Sequence, residues 1–285
     1  MNSTLTDSEF KLFKKYIEEK CGIDIPEEKS YLIEIRLSKI LADSGLRSYE
    51  ELFYDIRQRD DKFVSEKIID SITTNETLWF RDKSPWIVLE ELMLPIFISE
   101  IRNNKRDKVR IWSAASSTGQ EAYSTAICID NYLNKNEIKD VDISKFEILA
   151  TDISNEVLEV AKNGKYDSIS IIRGLDPNYK NKYFDKNNMV WQIKKNISKI
   201  VKFQRFNLQN SFMLLGNFDV IFCRYVLIYF SDKLRKDIFS KISFSLNNHG
   251  TFFLGASEIY TDTENYFDIH RYKNGIHYKR KVIQK

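Results

Sequence analysis

The chain has 285 residues, 42% of them hydrophobic, enough for a substantial core divided between two domains. Its charge is nearly balanced, with 44 basic against 41 acidic residues, which argues against a nucleic-acid partner, since that would call for a strongly basic face. The three cysteines (Cys21, Cys128, Cys223) and three histidines (His249, His270, His277) are too scattered for a disulfide framework or a metal site, no basic-then-apolar leader opens the chain, and the most apolar helical stretch, Ile87–Ile98, is broken by Glu90, Glu91 and Pro95. A cytoplasmic monomer with no metal and no membrane insertion is expected.

Residues 1–72 read as a helical domain. Thr6-Asp7-Ser8-Glu9 has the spacing of a capping box, and Phe10, Phe13 and Ile17 then recur on one face. Pro26 suits a first helical turn, Ile33, Leu37, Ile40 and Leu41 form a second apolar stripe, and Gly45 suits a helix stop. Leu52, Phe53 and Ile56, then Phe63, Ile68, Ile69 and Ile72, continue the pattern. Residues 73–84 form a polar and aromatic linker, a natural lining for a cleft at the domain junction; the bland alternative is a capped connection.

From 85 to 285 the texture changes. Strand-like runs at Val109–Trp112, Glu147–Ala150, Phe218–Cys223 and Thr251–Leu254 alternate with helical stretches such as Glu121–Leu133. That alternation predicts an α/β fold with a doubly wound, Rossmann-like sheet. Residues 167–203 break the rhythm with a helical piece, Pro177–Phe184, and strand-like runs at Met189–Ile193 and Ile200–Phe203, read together as a small β-containing insertion.

After the first strand comes Ser113-Ala114-Ala115-Ser116-Ser117-Thr118-Gly119, a turn of small residues that opens a helix. Such a backbone can approach a ligand closely, and its N–H groups favour an anionic end, but it can equally be a snug strand–helix corner. Asp152 closes the second strand, where an acid can accept hydrogen bonds from ribose hydroxyls or cap the following helix. Asn207 could set an amide beside a purine edge, while Arg224 and Tyr229 follow the buried strand Phe218–Cys223.

These pieces resemble, in order, the CheR family of chemotaxis receptor methyltransferases. The resemblance rests on Thr74-Asn75-x-Thr77-x-x-Phe80-Arg81, Trp112-Ser113-Ala114-Ala115-Ser116-Ser117-Thr118-Gly119-x-Glu121-x-Tyr123-Ser124, Ala150-Thr151-Asp152-Ile153, Asn163-Gly164-x-Tyr166, Asn207-Leu208, Phe222-Cys223-Arg224-x-Val226-x-Ile228-Tyr229-Phe230 and Gly255-x-Ser257-Glu258. It spans essentially the whole chain. It implies S-adenosyl-L-methionine as methyl donor, S-adenosyl-L-homocysteine as product, and glutamyl side chains on the cytoplasmic helices of chemoreceptors as acceptors.

Carried over by position, the resemblance implies that Asn75, Thr77 and Arg81 line the donor pocket. The Ser113–Gly119 loop, including Ser113, Ala114 and Gly119, would approach the methionine end, with Glu121 helping to hold it, and Arg224 would also bind the donor. Asp152 would hold the ribose, and Asn207 and Leu208 would contact the adenine. Arg81 and Tyr229 would face the transferred methyl and the incoming carboxylate. A glutamate is already ionised at neutral pH, so the chemistry needs orientation rather than a general base.

Arg36 and Lys39 match a family surface that meets the receptor helix, although Glu34 dilutes its charge; a solvated face is the alternative. The glycine-rich turn of the family's enteric members, which with the β-edge tethers a receptor's C-terminal pentapeptide, corresponds here to Phe184-Asp185-Lys186-Asn187-Asn188-Met189-Val190, which lacks glycine. A pentapeptide-independent enzyme is therefore expected. Tyr225 stands where the family often has Asn. The alternatives are a methyltransferase of the same fold with another substrate, or a non-catalytic protein that binds the donor or its product and signals.

Overall fold

The structure, a computed structural model, describes residues 4–59 and 62–281. The extreme ends of the two expected domains lie outside the described residues.

The helical part comprises α1 (Asp7–Cys21), α2 (Ser30–Ser44), α3 (Tyr49–Arg59) and α4 (Lys62–Ile72). The capping box at Thr6 forms: the Glu9 N–H donates to the Thr6 hydroxyl, and the Thr6 N–H donates to Glu9 Oε2 at 2.8 Å. Glu9 Oε1 also accepts the Glu50 N–H at 2.9 Å, so one carboxylate serves two helix starts. Gly45 closes α2 at φ 71°, a left-handed conformation that glycine adopts without strain. Phe13, Ile33, Leu37, Tyr49 and Ile68 are essentially inaccessible and form the core of this domain. Phe63, expected in the same stripe, instead faces outward at 64% exposure. Pro26 lies just before a short 3₁₀ turn (Glu27–Lys29), extended at ψ 151°, rather than inside a helical turn. Its ring fixes only φ, which suits both conformations.

The linker leads into α5 (Ser84–Val88), a π turn over Leu89–Met93, and α6 (Leu94–Arg102). Pro95 falls at the start of α6, where the wider turn accommodates its missing N–H. The main sheet contains β1 (Val109–Ala114), β2 (Phe146–Asp152), β6 (Val201–Arg205), β7 (Phe218–Cys223), β8 (Leu246–Phe253), β9 (Phe267–Tyr272) and β10 (Gly275–Arg280). Their order is β6-β2-β1-β7-β8-β10-β9; the pairs among β6, β2, β1, β7 and β8 are parallel, and those of β10 with β8 and β9 are antiparallel. Helices α7 (Gln120–Lys135), α8 (Asn155–Asn163) and α12 (Asp232–Ser245) connect or flank these strands.

A three-stranded antiparallel sheet, β3-β5-β4, joins Lys165–Asp167, Val190–Ile193 and Phe184–Asn187. The short helices α9 (Ser168–Ile172), α10 (Pro177–Tyr183) and α11 (Lys195–Ser198) accompany it. The strand expected at Ile200–Phe203 does not belong to this insertion. As β6 it pairs in parallel with β2, Ala150 opposite Phe203, and forms an edge of the main sheet. Its partner lies far back in the sequence, so local pattern alone could not assign it.

In an open parallel sheet, ligands gather at the carboxyl ends of strands where the winding reverses direction. Here β2 lies on one side of β1 and β7 on the other. The reversal falls at Ala114, Asp152 and Cys223, where those strands end.

Candidate functional site

A cleft of about 930 Å³, open to solvent, lies at these strand ends. One wall is the loop after β1. Ala115 and Ser117 sit at φ 56° and 50°, and Gly119 at 92°. Two non-glycine residues in the left-handed region cost about 1–2 kcal/mol each. The loop is held by the Ser116 N–H on the Thr151 carbonyl (2.9 Å) and the Ser117 N–H on Asp152 Oδ2 (2.8 Å). Ala115, Ser116 and Ser117 line the cleft; the expected Ser113, Ala114 and Gly119 do not. Ser113 is buried beneath the loop and donates to Glu121 Oε1 at 2.7 Å, and Ala114 is buried in the sheet. A side chain at Gly119 would press on Ala161 at 3.0 Å and Phe203 at 3.2 Å, so this glycine serves packing behind the loop. Within the Ser113–Gly119 loop it is the residues after the strand end that present themselves to the cleft.

Asp152 is buried and braces the site. Besides Ser117 it accepts the Ser154 N–H on Oδ1 at 3.0 Å. Ser154, not Asp152, caps α8 through its hydroxyl. Burial pushes the Asp152 carboxyl above its ordinary range, although those N–H bonds pull the other way. Each oxygen retains acceptor capacity for hydroxyls.

Opposite lies a buried charge cluster. Arg224 donates to Glu121 Oε2 at 2.9 Å, to Asp82 Oδ2 at 2.6 Å and to the Arg81 carbonyl at 2.8 Å. Burial works against the guanidinium, but Glu121 and Asp82 hold its pKa above the ordinary value. Asp82 loses solvation too, yet Tyr225, the Ala256 N–H and Arg224 hold its carboxyl below the usual range. One guanidinium faces two carboxylates, leaving an excess negative charge beside the cleft.

The linker supplies the third wall, including Asn75 and Thr77. Ser117 donates its hydroxyl to the Asn75 carbonyl at 2.8 Å, while the Asn75 amide donates to Thr73 at 3.3 Å. Trp79 is fully buried and anchors the segment, its indole N–H on the Ser170 carbonyl at 3.1 Å. Phe80, Asp82 and Lys83 all take positive φ, and the resulting bend carries Arg81 into the cleft lining. Arg81 Nη1 donates to the Glu76 carbonyl at 3.2 Å, and its guanidinium lies 3.6 Å from the centre of the Tyr225 ring. Among the described residues, no carboxylate is within ion-pair distance of Arg81, and the hydroxyl of Tyr229, also in the lining, has no hydrogen-bond partner.

Leu208 contributes apolar surface together with Phe206 and Ile153. Asn207 lines the cleft, but its amide is turned away. It donates to the Lys20 carbonyl at 2.9 Å and accepts the Gln209 N–H at 2.9 Å, tying the end of α1 to this turn. These bonds run to the helical domain and to the adjoining turn.

Arg36 is engaged within the chain. Its guanidinium donates to the carbonyls of Ser71 (3.0 Å), Ile72 (2.6 Å) and Thr73 (2.8 Å) and to the Thr74 hydroxyl (3.1 Å). It closes the C-terminus of α4 and grips the start of the linker, which leaves it poorly free for an outside partner. Lys39 remains exposed on α2.

Sequence reasoning overlooked Asp82 as a partner of Arg224, and Cys21 and Ile23, which bring the helical domain to the cleft. Adjacency to Arg81 could have signalled Asp82; nothing local signals the other two.

The donor chemistry fits what is present. Ser116 Oγ lines the cleft buried and without a partner, which is costly unless a ligand satisfies it. The excess negative charge suits a sulfonium, Asp152 suits vicinal hydroxyls, and Leu208 with Phe206 suits a purine face. Residues 75–276 match the SAM-binding domain of CheR methyltransferases, and residues 8–73 match their all-alpha domain. The chain is 40% identical to a chemotaxis protein methyltransferase of Pseudomonas putida, covering 96% of this chain and 98% of that protein. It is also 40% identical to one from Vibrio anguillarum, covering 98% of each. A third, from Borreliella burgdorferi, is 33% identical over 93% of each.

Proposed function

Because the chain belongs to the CheR methyltransferase family and takes S-adenosylmethionine as its cofactor, we propose that it methylates glutamate side chains on the cytoplasmic helices of chemoreceptors. The cofactor supplies a methyl group on a sulfonium; as a carboxylate oxygen bonds to that carbon, the carbon–sulfur bond breaks with its electron pair going to sulfur. The products are a glutamyl methyl ester and S-adenosylhomocysteine, and no proton moves. The observation that carries the reading is Arg81, a guanidinium with no carboxylate within ion-pair distance among the described residues, in a cleft lining that also holds Tyr229. Arg81 orients the acceptor carboxylate and Tyr229 locates its second oxygen. Asp152 holds the ribose hydroxyls, Ser116 and Ser117 meet the amino-acid end, and Asn75 and Thr77 close the linker side. Glu121, Asp82 and Arg224 favour the sulfonium through their excess negative charge, and the ligand's positive charge is lost on transfer, which assists release.

The protein acts in the cytoplasm, where receptor helices are accessible. Lys39 contributes to docking together with Tyr31 and Ile35, which lie exposed along the same side of α2. Binding is independent of a receptor pentapeptide. The support for this is the β4–β5 turn, which lacks glycine and takes its positive φ, 54°, at Asn188.

Incubation with labelled donor and receptor-containing membranes tests the reading. Base-labile methanol released from the receptor band is expected. Label that resists base, or appears on another species, refutes carboxyl methylation of receptors.

A further inference from the structure

Tyr225 stands immediately after the buried arginine of the charge cluster, at φ 59°. That left-handed conformation is unfavourable for a bulky side chain, so something must hold it. Its N–H donates to Glu258 Oε2 at 2.6 Å, and the same oxygen takes the Gly255 N–H at 2.7 Å. Its hydroxyl donates to Asp82 Oδ2 at 2.6 Å and accepts the Ala256 N–H at 3.2 Å. The ring itself fits only because residue 255 is glycine: a Cβ there would lie 2.7 Å from ring atoms Cε1 and Cζ. Backbone, ring edge and hydroxyl are thus all fixed. On this ring rests the guanidinium of Arg81, 3.6 Å from its centre.

We infer that Tyr225 is the positioning residue for Arg81: a clamped aromatic platform that fixes the guanidinium plane toward the acceptor carboxylate. Stacking suits this task better than an ion pair. It holds the guanidinium by its face and leaves the in-plane N–H donors available for a carboxylate. A carboxylate partner in its place would compete with the substrate. The one side-chain hydrogen bond of Arg81 among the described residues, to the Glu76 carbonyl, fixes one nitrogen but not the tilt of the plane. The strain at Tyr225 is then the cost of placing a large ring where the backbone favours a small polar residue. The inference rests on the reading of Arg81 as the receiver of the acceptor carboxylate.

Two variants separate platform from scaffold. Tyr225→Phe keeps the face and loses the hydroxyl part of the clamp; its kcat/KM for receptor should fall, but clearly less than that of Tyr225→Asn. Tyr225→Asn relieves the positive φ and removes the platform. Its thermal midpoint should match or exceed that of wild type, and its affinity for S-adenosylhomocysteine should be unchanged. Its kcat/KM for receptor should fall at least tenfold, since small misplacements of an orienting group cost up to about a hundredfold. Adding Tyr225→Asn to Arg81→Ala should cause little further loss, because the platform acts only through that guanidinium. Wild-type kcat/KM in Tyr225→Asn overturns the inference, as does a loss of activity matched by lost product affinity. A crystal structure of Tyr225→Asn with S-adenosylhomocysteine decides the point without any activity. Arg81 should leave its present position, and finding it unmoved overturns the inference. Failure of wild type to methylate receptors would count against the proposed function alone.

Discussion

Two arginines in the cleft are held in opposite ways, and their substitutions should fail differently. Arg224 is enclosed, its side chain 2% exposed, and every charge near it is part of the fold. Arg224→Ala would leave Glu121 and Asp82 as unpaired carboxylates and should cost about 3–5 kcal/mol of stability, measured by urea unfolding. Arg81 is engaged by one carbonyl and one ring face. Arg81→Ala should therefore leave stability within about 0.5 kcal/mol and S-adenosylhomocysteine affinity near normal, while kcat falls by about a hundredfold or more. Near-normal turnover in a folded protein would refute that role. Both arginines were legible as site residues in the sequence, but the difference between them was not. It depends on Asp82 and Glu121 folding back to meet Arg224, contacts that no local spacing encodes. Arg36 shows the same limit more sharply. Its side chain reads as a surface charge, yet its partners are main-chain carbonyls at the end of another helix, and carbonyls carry no sequence signal.

At the scale of elements, that contact makes α2 a strut for the linker. Arg36→Ala frees carbonyls at the end of α4 and loosens the segment that carries Asn75 and Thr77. Stability should fall by about 1–2 kcal/mol, and S-adenosylhomocysteine affinity should weaken several-fold by calorimetry. Unchanged affinity would leave Arg36 a helix cap and nothing more. The antiparallel edge of the sheet gives a separate expectation. His277 on β10 is 2% exposed, its Nδ1 has no partner, and it stacks on His270 at 5.5 Å. Burial, with His270 and Lys279 nearby, lowers its pKa to about 4 from an ordinary 6.5. The unfolded chain then takes up the proton first as pH falls. The stability contributed by neutral His277 is complete above about pH 6.5 and is lost progressively toward pH 4. The loss should be on the order of 2–3 kcal/mol. Urea unfolding at pH 7 and pH 4.5 checks it, and His277→Leu should remove most of the difference. Strand β10 shows why such a site escapes sequence reading: His277 sits among alternating residues of an edge pair whose register with β9 was not predicted. The strands that do align with apolar runs, such as β7, were read to the residue.

On the scale of the whole molecule, the cleft is shared between the domains. Cys21 and Ile23 come from the helical side, while Asp152, Leu208 and Tyr229 come from the sheet. The join is made of specific bonds. Asn207 donates to the Lys20 carbonyl and the Gln209 amide to the Glu18 carbonyl (3.0 Å), so the sheet domain caps the end of α1. The Asp24 N–H donates to the Tyr229 carbonyl at 2.8 Å, and Arg205 pairs with Glu66. Each domain was legible from its own periodicity, but this join was not, because its donors and acceptors lie far apart in the chain, 139 residues for Glu66 and Arg205 and 191 for Glu18 and Gln209. A ligand that touches both sides can bind only when they are docked, so it should stabilise them as one unit. Calorimetric unfolding should show a single transition. S-adenosylhomocysteine at a hundred times its Kd should raise stability by about 2.7 kcal/mol across the whole transition. Replacing Asn207 and Gln209 together by Ala removes the caps on α1 without touching either core. The transition should then broaden or split, with the helical domain melting first, and added product should draw the two parts back together. A single sharp transition in that double variant would mean that the domains are coupled chiefly through the linker and its Arg36 strut, and Arg36→Ala would then be the change that separates them.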